Sequence, residues 1–176
     1  MNATCKHNLN EDVCNLINTQ INKEYQMFYS YLQISNNLEN EENYLPNASK
    51  FYKTMSDEEK EHGEMWSKYL INRGGKICLQ QINTTEFNEH SNDLQSYFEY
   101  ALEQEKQMNS SLLELHSKAN DHNDIHLCNF IEFFFNDQVD AQRKLSNLIN
   151  ILNKYTSLGN DKYGEFHFDN YLKTNK

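Results

Sequence analysis

Three glutamates, a glutamine and a histidine fall where a folded chain ordinarily puts apolar side chains. Glu24 shares a helical face with Ile17, Ile21 and Phe28. Glu59 and His62 lie on the side of a second stretch that carries Phe51, Met55, Trp66 and Tyr69. Glu105 sits in the stripe Leu94, Phe98, Ala101, Met108 and Leu112, and Gln138 sits in the stripe Leu127, Ile131, Phe134, Leu145 and Leu152. An ionised carboxylate left unpaired in a packed core costs many kcal/mol, so three of them with an imidazole, aimed at one interior point, imply a cation between them. Carboxylates with a single imidazole suit iron in its ferrous and ferric states, whereas a closed zinc site would call for thiolates.

Glu59-x-x-His62 sets an oxygen ligand and an imidazole about one turn apart, close enough to touch one metal or a close pair. Alone, within Asp57-Glu58-Glu59-Lys60-Glu61-His62, that spacing reads as a solvated acidic face. The mid-stripe positions of Glu24 and Glu105 reverse that reading, because random surface acids would not land there. In a symmetrical two-iron bundle the fourth helix would repeat the Glu-x-x-His pair, but here it offers Gln138 and then Ala141. One iron is thus held by Glu24, Glu59 and His62, with Glu59 as bridge, and the second mainly by Glu105 and Gln138. A weak second position favours release of oxidised iron over a permanent cofactor, and so an iron-oxidising store over an oxygenase or radical enzyme.

Long helices must position these groups. Asn10 caps a first helix running to about Leu38, with Glu11 and Asp12 at its positive end. Pro46 opens a second that stops at Gly74-Gly75, Asn92 and Asp93 start a third that ends within Asn120 to Asp124, and a fourth runs from about Ile125 to Tyr155. Asp161 to Leu172 suffices for a short fifth. Lys76 to Asn92 lacks a helical period. A helix of this length is roughly 40 Å long and this connection can reach about 55 Å, so it can return along the whole bundle and leave the second and third helices parallel. The expected fold is all-α, a four-helix bundle with one long crossover and a short C-terminal helix.

The bulk properties agree. The 176 residues are enough for a single domain with a sizeable core, and one Pro and five Gly leave long helices uninterrupted. A formal net charge of −10 argues against nucleic acid or an anionic membrane as partner and favours cations. No apolar run can cross a bilayer and no signal peptide is recognisable, which points to the cytoplasm. The glycosylation matches at Asn2, Asn47, Asn83 and Asn109 are what chance yields in an Asn-rich chain, and Cys5, Cys14, Cys78 and Cys128 have no zinc or redox spacing, so reduced thiols are expected.

Glu24 with Tyr31, Glu59-Lys-Glu-His62, Arg73-Gly-Gly75, Ser110-Ser-Leu-Leu-Glu-Leu-His116, His126-Leu-Cys128 and Gln138-Val139, in that order and spacing, resemble the heavy-chain type of ferritin over nearly the whole chain. The resemblance implies a ferritin-like fold, a hollow shell of twenty-four subunits that also admits other ferritin subunits, oxidation of ferrous iron by dioxygen or peroxide at two iron positions per subunit, and mineral storage in the cavity. It implies a ferroxidase centre of Glu24, Glu59, His62, Glu105 and Gln138, with Tyr31 as the nearby phenol; for Tyr31, core packing with a bonded hydroxyl is the alternative. It also implies mineral nucleation by Glu58, Glu61 and Glu64, and a threefold pore lined by His116, Cys128, Asn129 and Glu132. Asn129 departs from the usual aspartate, leaving Glu132 as the main attraction for cations. Between Glu132 and Gln138 the chain is one residue shorter than that family, which predicts a straighter fourth helix. Tyr163, His167 and Tyr171 recur at the spacing that lines the fourfold axis, where an aromatic plug is expected.

Overall fold

The computed structural model describes residues 8–83, 93–157 and 161–174. These form five helices, α1 (Glu11–Glu39), α2 (Pro46–Asn72), α3 (Leu94–Asp121), α4 (Ile125–Thr156) and α5 (Asp161–Thr174), with no strand among the described residues. The expected boundaries fall within one or two residues. The Asn10 side chain accepts from the Asp12 amide at 2.8 Å, and Pro46 occupies the first turn of α2. Asp93 is the cap of α3 and accepts from the Ser96 amide, so that helix proper begins at Leu94. Asn92, Asn2 and Cys5 lie outside the described residues.

The helix ends show why these residues stop where they do. After α2 the chain turns through Gly74 at φ 78°, a left-handed conformation that an L side chain resists, and the Gly75 amide returns to the Leu70 carbonyl at 2.9 Å. A Cβ on Gly75 would lie 2.3 Å from Leu70 Cδ1. Asn123 makes the same turn after α3 at φ 53°, and Asp124 then caps α4 through the Leu127 amide.

Contacts fix the directions. Tyr52, early in α2, lies against Tyr97 and Phe98, early in α3, so these two helices run parallel. Lys23 near the middle of α1 bonds Ser111 in the second half of α3, and Asn37 near the end of α1 bonds Tyr97 near the start of α3, so α1 and α3 are antiparallel. Asn18 holds the start of the crossover, donating to the Lys76 carbonyl at 3.0 Å and accepting from the Cys78 amide at 2.7 Å. α4 is α-helical from Ile125 to Thr156 without an inserted bulge, and Gln138 stays on its buried face, as the shortened segment predicts.

α5 is more than an appendage. Leu45 gives α2 no side-chain cap, and the Asp169 carboxylate replaces it, accepting from the Asn47 and Ala48 amides at 2.9 and 2.8 Å and from the Asn47 side chain at 2.7 Å. One turn earlier, Glu165 accepts from the Leu94 amide at 3.0 Å. One short helix therefore neutralises the positive ends of both parallel helices.

Candidate metal centre

Halfway along the bundle, α1 and α2 bring together the groups that the stripes single out. Glu24 is 2 % exposed and Glu59 is buried, while His62, one turn on, reaches partly to solvent. One ligand atom from each of Glu24, Glu59 and His62 lies within 4.8 Å of the others, a spread that a single ion can bridge. His62 Nδ1 is 3.6 Å from Glu59 Oε2, and its ring stands edge-on to Phe134 at 5.4 Å. Gln20, one turn before Glu24, donates through Nε2 to Glu24 Oε1 at 2.8 Å while its own Oε1 accepts from Ser111. Glu24 is thereby oriented with its second oxygen left over.

Glu105 and Gln138 complete the opposite wall from α3 and α4, outside that tight trio. Tyr31 donates its hydroxyl to Glu105 Oε1 at 2.9 Å, and Gln138 Nε2 donates to Glu105 Oε2 at 2.8 Å. Tyr31 is fully buried, and its phenol is driven far above its ordinary range by burial and then by Glu105, so it remains a proton donor here.

Among the described residues, none of the three carboxylates has a lysine or arginine within ion-pair distance, and His62 is the basic group beside them. Burial first, and then the charge of Glu59, push the Glu24 carboxyl well above the usual carboxylate range; burial and then Glu105 do the same to Glu59. Glu105 is raised by burial despite the bonds from Gln138 and Tyr31. Glu24 Oε2 and Gln138 Oε1 are buried without any hydrogen-bond partner. Both are acceptor oxygens. Groups of this kind suit a hard cation, and apolar packing does not explain them. Glu59, His62, Glu105 and Gln138 also line a cavity of about 380 Å³, bordered by Glu58, Asp137, Asp140 and Lys144, so acids outnumber bases around it.

The model of the ferritin-like domain matches residues 14–155. The chain is 40 % identical to "Ferritin" of Pacifastacus leniusculus over 174 residues, covering 98 % of this chain and 93 % of that one. It is 36 % identical to "Ferritin, middle subunit" of Salmo salar over 172 residues, 97 % of each. The chain belongs to the ferritin family. Ferritins store iron, and the trio of Glu24, Glu59 and His62 is a group fit to bind it.

The other positions that the ferritin resemblance singles out are spread over the surface. Glu58, Glu61 and Glu64 are exposed along α2, with Glu58 at the mouth of the metal cavity. His116 lies late in α3 and Cys128, Asn129 and Glu132 lie early in α4; the Cys128 thiol points to the His116 carbonyl at 4.0 Å, and Asn129 and Glu132 are exposed. Cys78 and Cys128 form no disulfide among the described residues. Tyr163 packs edge-on against His167 at 4.3 Å on α5. Asn47 is tied to Asp169, which disposes of that glycosylation match. Sequence reasoning missed Gln20: its one-turn spacing before Glu24 was the available signal, but a polar residue there looks like any surface glutamine until Ser111 is brought opposite.

Proposed function

We propose that this chain is a heavy-chain-type ferritin subunit with ferroxidase activity. Ferrous iron is the substrate: two ions per subunit enter through the acidic mouth at Glu58, Asp137 and Asp140 and are held by Glu24, Glu59, His62, Glu105 and Gln138. Each gives up one electron to dioxygen or peroxide. The carboxylates favour the ferric state, Gln20 and Tyr31 fix the orientation of Glu24 and Glu105, and the weaker Glu105–Gln138 side releases the product. The observation that carries this reading is the pair of orphaned buried oxygens, Glu24 Oε2 and Gln138 Oε1, flanking the Glu24–Glu59–His62 trio.

Ferric oxide then collects in the cavity of a cytoplasmic shell of twenty-four subunits, pure or mixed, nucleated at Glu58, Glu61 and Glu64, with cations entering through pores lined by His116, Cys128 and Glu132. Exposed Tyr29, Leu79, Ile125, Phe133, Val139 and Phe166 supply apolar surface for such assembly. None of the described helices is long and apolar enough to cross a membrane. A non-catalytic, nucleating subunit of a mixed shell is the alternative, and the full ligand set counts against it. An oxidase with an organic substrate is disfavoured too, because α4 offers no second imidazole beside Gln138; an apolar hollow of about 430 Å³ shares Phe51, Met55 and Glu58 with the metal cavity, and it is the feature that would favour such an oxidase.

Mixing the purified apoprotein with ferrous iron and oxygen tests the reading. Rapid oxidation is expected from the parent, and a Glu24→Ala, His62→Ala double variant that oxidises iron equally fast would defeat the assignment. Particle mass and iron content test the shell, and a mass near one subunit would exclude it.

A further inference from the structure

From the metal centre a continuous series of rings runs along α2 and α4 to the end of the bundle. His62 meets Phe134 at 5.4 Å, Phe134 stacks on Trp66 at 5.0 Å and an interplanar angle of 17°, and Trp66 stands edge-on to Tyr69 at 6.4 Å. Phe130 fills the angle between the last two, 4.8 Å from Trp66 and stacked on Tyr69 at 4.1 Å. His62, Trp66, Tyr69 and Arg73 recur at steps of four, three and four, one stripe of one helix. Core packing explains aromatic rings there. It does not explain why the two oxidisable rings lie in line, nor the chemistry at the far end.

At that end the Tyr69 hydroxyl is 3.2 Å from His126 Nδ1. Arg73 donates to the same oxygen and pairs with both oxygens of Asp124. A guanidinium has only protons to give, so in the His126 tautomer protonated at Nε2 the phenol donates its own proton to Nδ1 of that ring, which is exposed at the surface. Burial holds the Tyr69 phenol up at about 12, so it enters any reaction protonated. Trp66 is fully buried and its Nε1 has no hydrogen-bond partner. Once oxidised, this indole has no base beside it to take its proton and passes the deficit on.

We infer that Trp66 and Tyr69 form a one-electron relay between the metal centre and the Tyr69–His126 pair. The inference rests on the ferroxidase reading. It acts when only one ferrous ion is bound and hydrogen peroxide is the oxidant. Peroxide needs two electrons and two protons to become two waters; the ferrous ion supplies one electron and Trp66 the other, with both protons from solvent. Without the second electron, peroxide would split into hydroxide and a hydroxyl radical. The Trp66 radical cation then takes an electron from Tyr69 as the phenolic proton moves to His126 Nδ1. A neutral tyrosyl radical and an imidazolium remain, and charge and atoms balance.

The test loads the assembled protein with one ferrous ion per subunit, adds hydrogen peroxide, and follows radicals by freeze-quench paramagnetic resonance with spin trapping of hydroxyl radical. The parent is expected to give a tyrosyl signal. Tyr69→Phe should lose that signal in favour of a tryptophan radical, Trp66→Phe should lose it and release hydroxyl radical, and Tyr31→Phe should keep it. His126→Gln removes the proton acceptor at an exposed position and should slow the appearance of the signal. A tyrosyl signal that persists in Tyr69→Phe, or vanishes only in Tyr31→Phe, overturns the relay. Prompt iron oxidation by the parent with no Tyr69-dependent radical overturns the relay alone. No iron oxidation, with dioxygen or peroxide, overturns the ferroxidase reading and the relay with it.

Discussion

Charge is buried at two places in this bundle, and the two are solved in opposite ways. Near the end of α2, Arg73 and Asp124 meet in a two-pronged pair, both buried, with Tyr69 adding a hydrogen bond. The chain brings both signs and the site is complete in itself. At mid-bundle, Glu24, Glu59 and Glu105 are equally buried, but the groups that engage them are the imidazole of His62, the amides of Gln20 and Gln138 and the phenol of Tyr31. The first arrangement holds a helix junction together. The second must hold protons or take up a cation to offset its charge, and that incompleteness suits a binding site for iron.

The largest separation between the two is expected in iron oxidation. Removing first-site ligands with Glu24→Ala or His62→Ala should slow it by at least about 100-fold in stopped-flow absorbance, judged from what even outer partners of metal ligands contribute. Asp124→Asn should leave the chemistry at mid-bundle in place.

Stability should divide the other way. Asp124→Ala strands a buried guanidinium and should lower unfolding free energy by about 3–5 kcal/mol in denaturant titration. Glu59→Gln should raise the stability of the iron-free protein, because it removes one of three mutually repelling buried carboxylates. If Glu59→Gln destabilises the apoprotein as strongly as Asp124→Ala, the contrast fails.

pH sharpens the same point. The carboxyls of Glu24, Glu59 and Glu105 are raised in the folded state above the ordinary 4.5. The folded apoprotein therefore holds more protons than the unfolded chain over that interval. Stability from these groups is fully present below 4.5 and is lost as pH rises toward their folded values. Thermal unfolding of the apoprotein from acid to neutral pH should show this decline, and a bound divalent cation should flatten it. The smallest effect is expected at α5: Asp169→Ala uncaps α2 and should lower stability by about 1–2 kcal/mol in the same melts, with iron oxidation retained.

Much of this was legible in the sequence because helices announce themselves locally. The 3.6-residue period, Asn10, Pro46, Asp93 and Gly74 fixed the elements to within a residue or two, and Glu24, Glu59, His62 and Glu105 stood out because charge interrupted an apolar stripe. Gln138 was legible as a buried position. Gln20 and Asp169 were missed because a distant partner decides each role: Ser111, far along the chain, donates to Gln20 and so fixes it on Glu24, and Asp169 caps the bare start of α2.

By itself the sequence determined which faces are buried, where helices begin and end, and that acidic groups lie on buried faces, because those properties depend on neighbours within a turn. Only the tertiary structure decided that three ligand atoms lie within 4.8 Å, that Glu105 is engaged by Tyr31 and Gln138 while Glu24 and Gln138 each keep a free oxygen, and that Trp66 and Tyr69 lie in line with His126. Those facts depend on the register of one helix against another, which is set by the packing of whole faces and by no single stretch of chain.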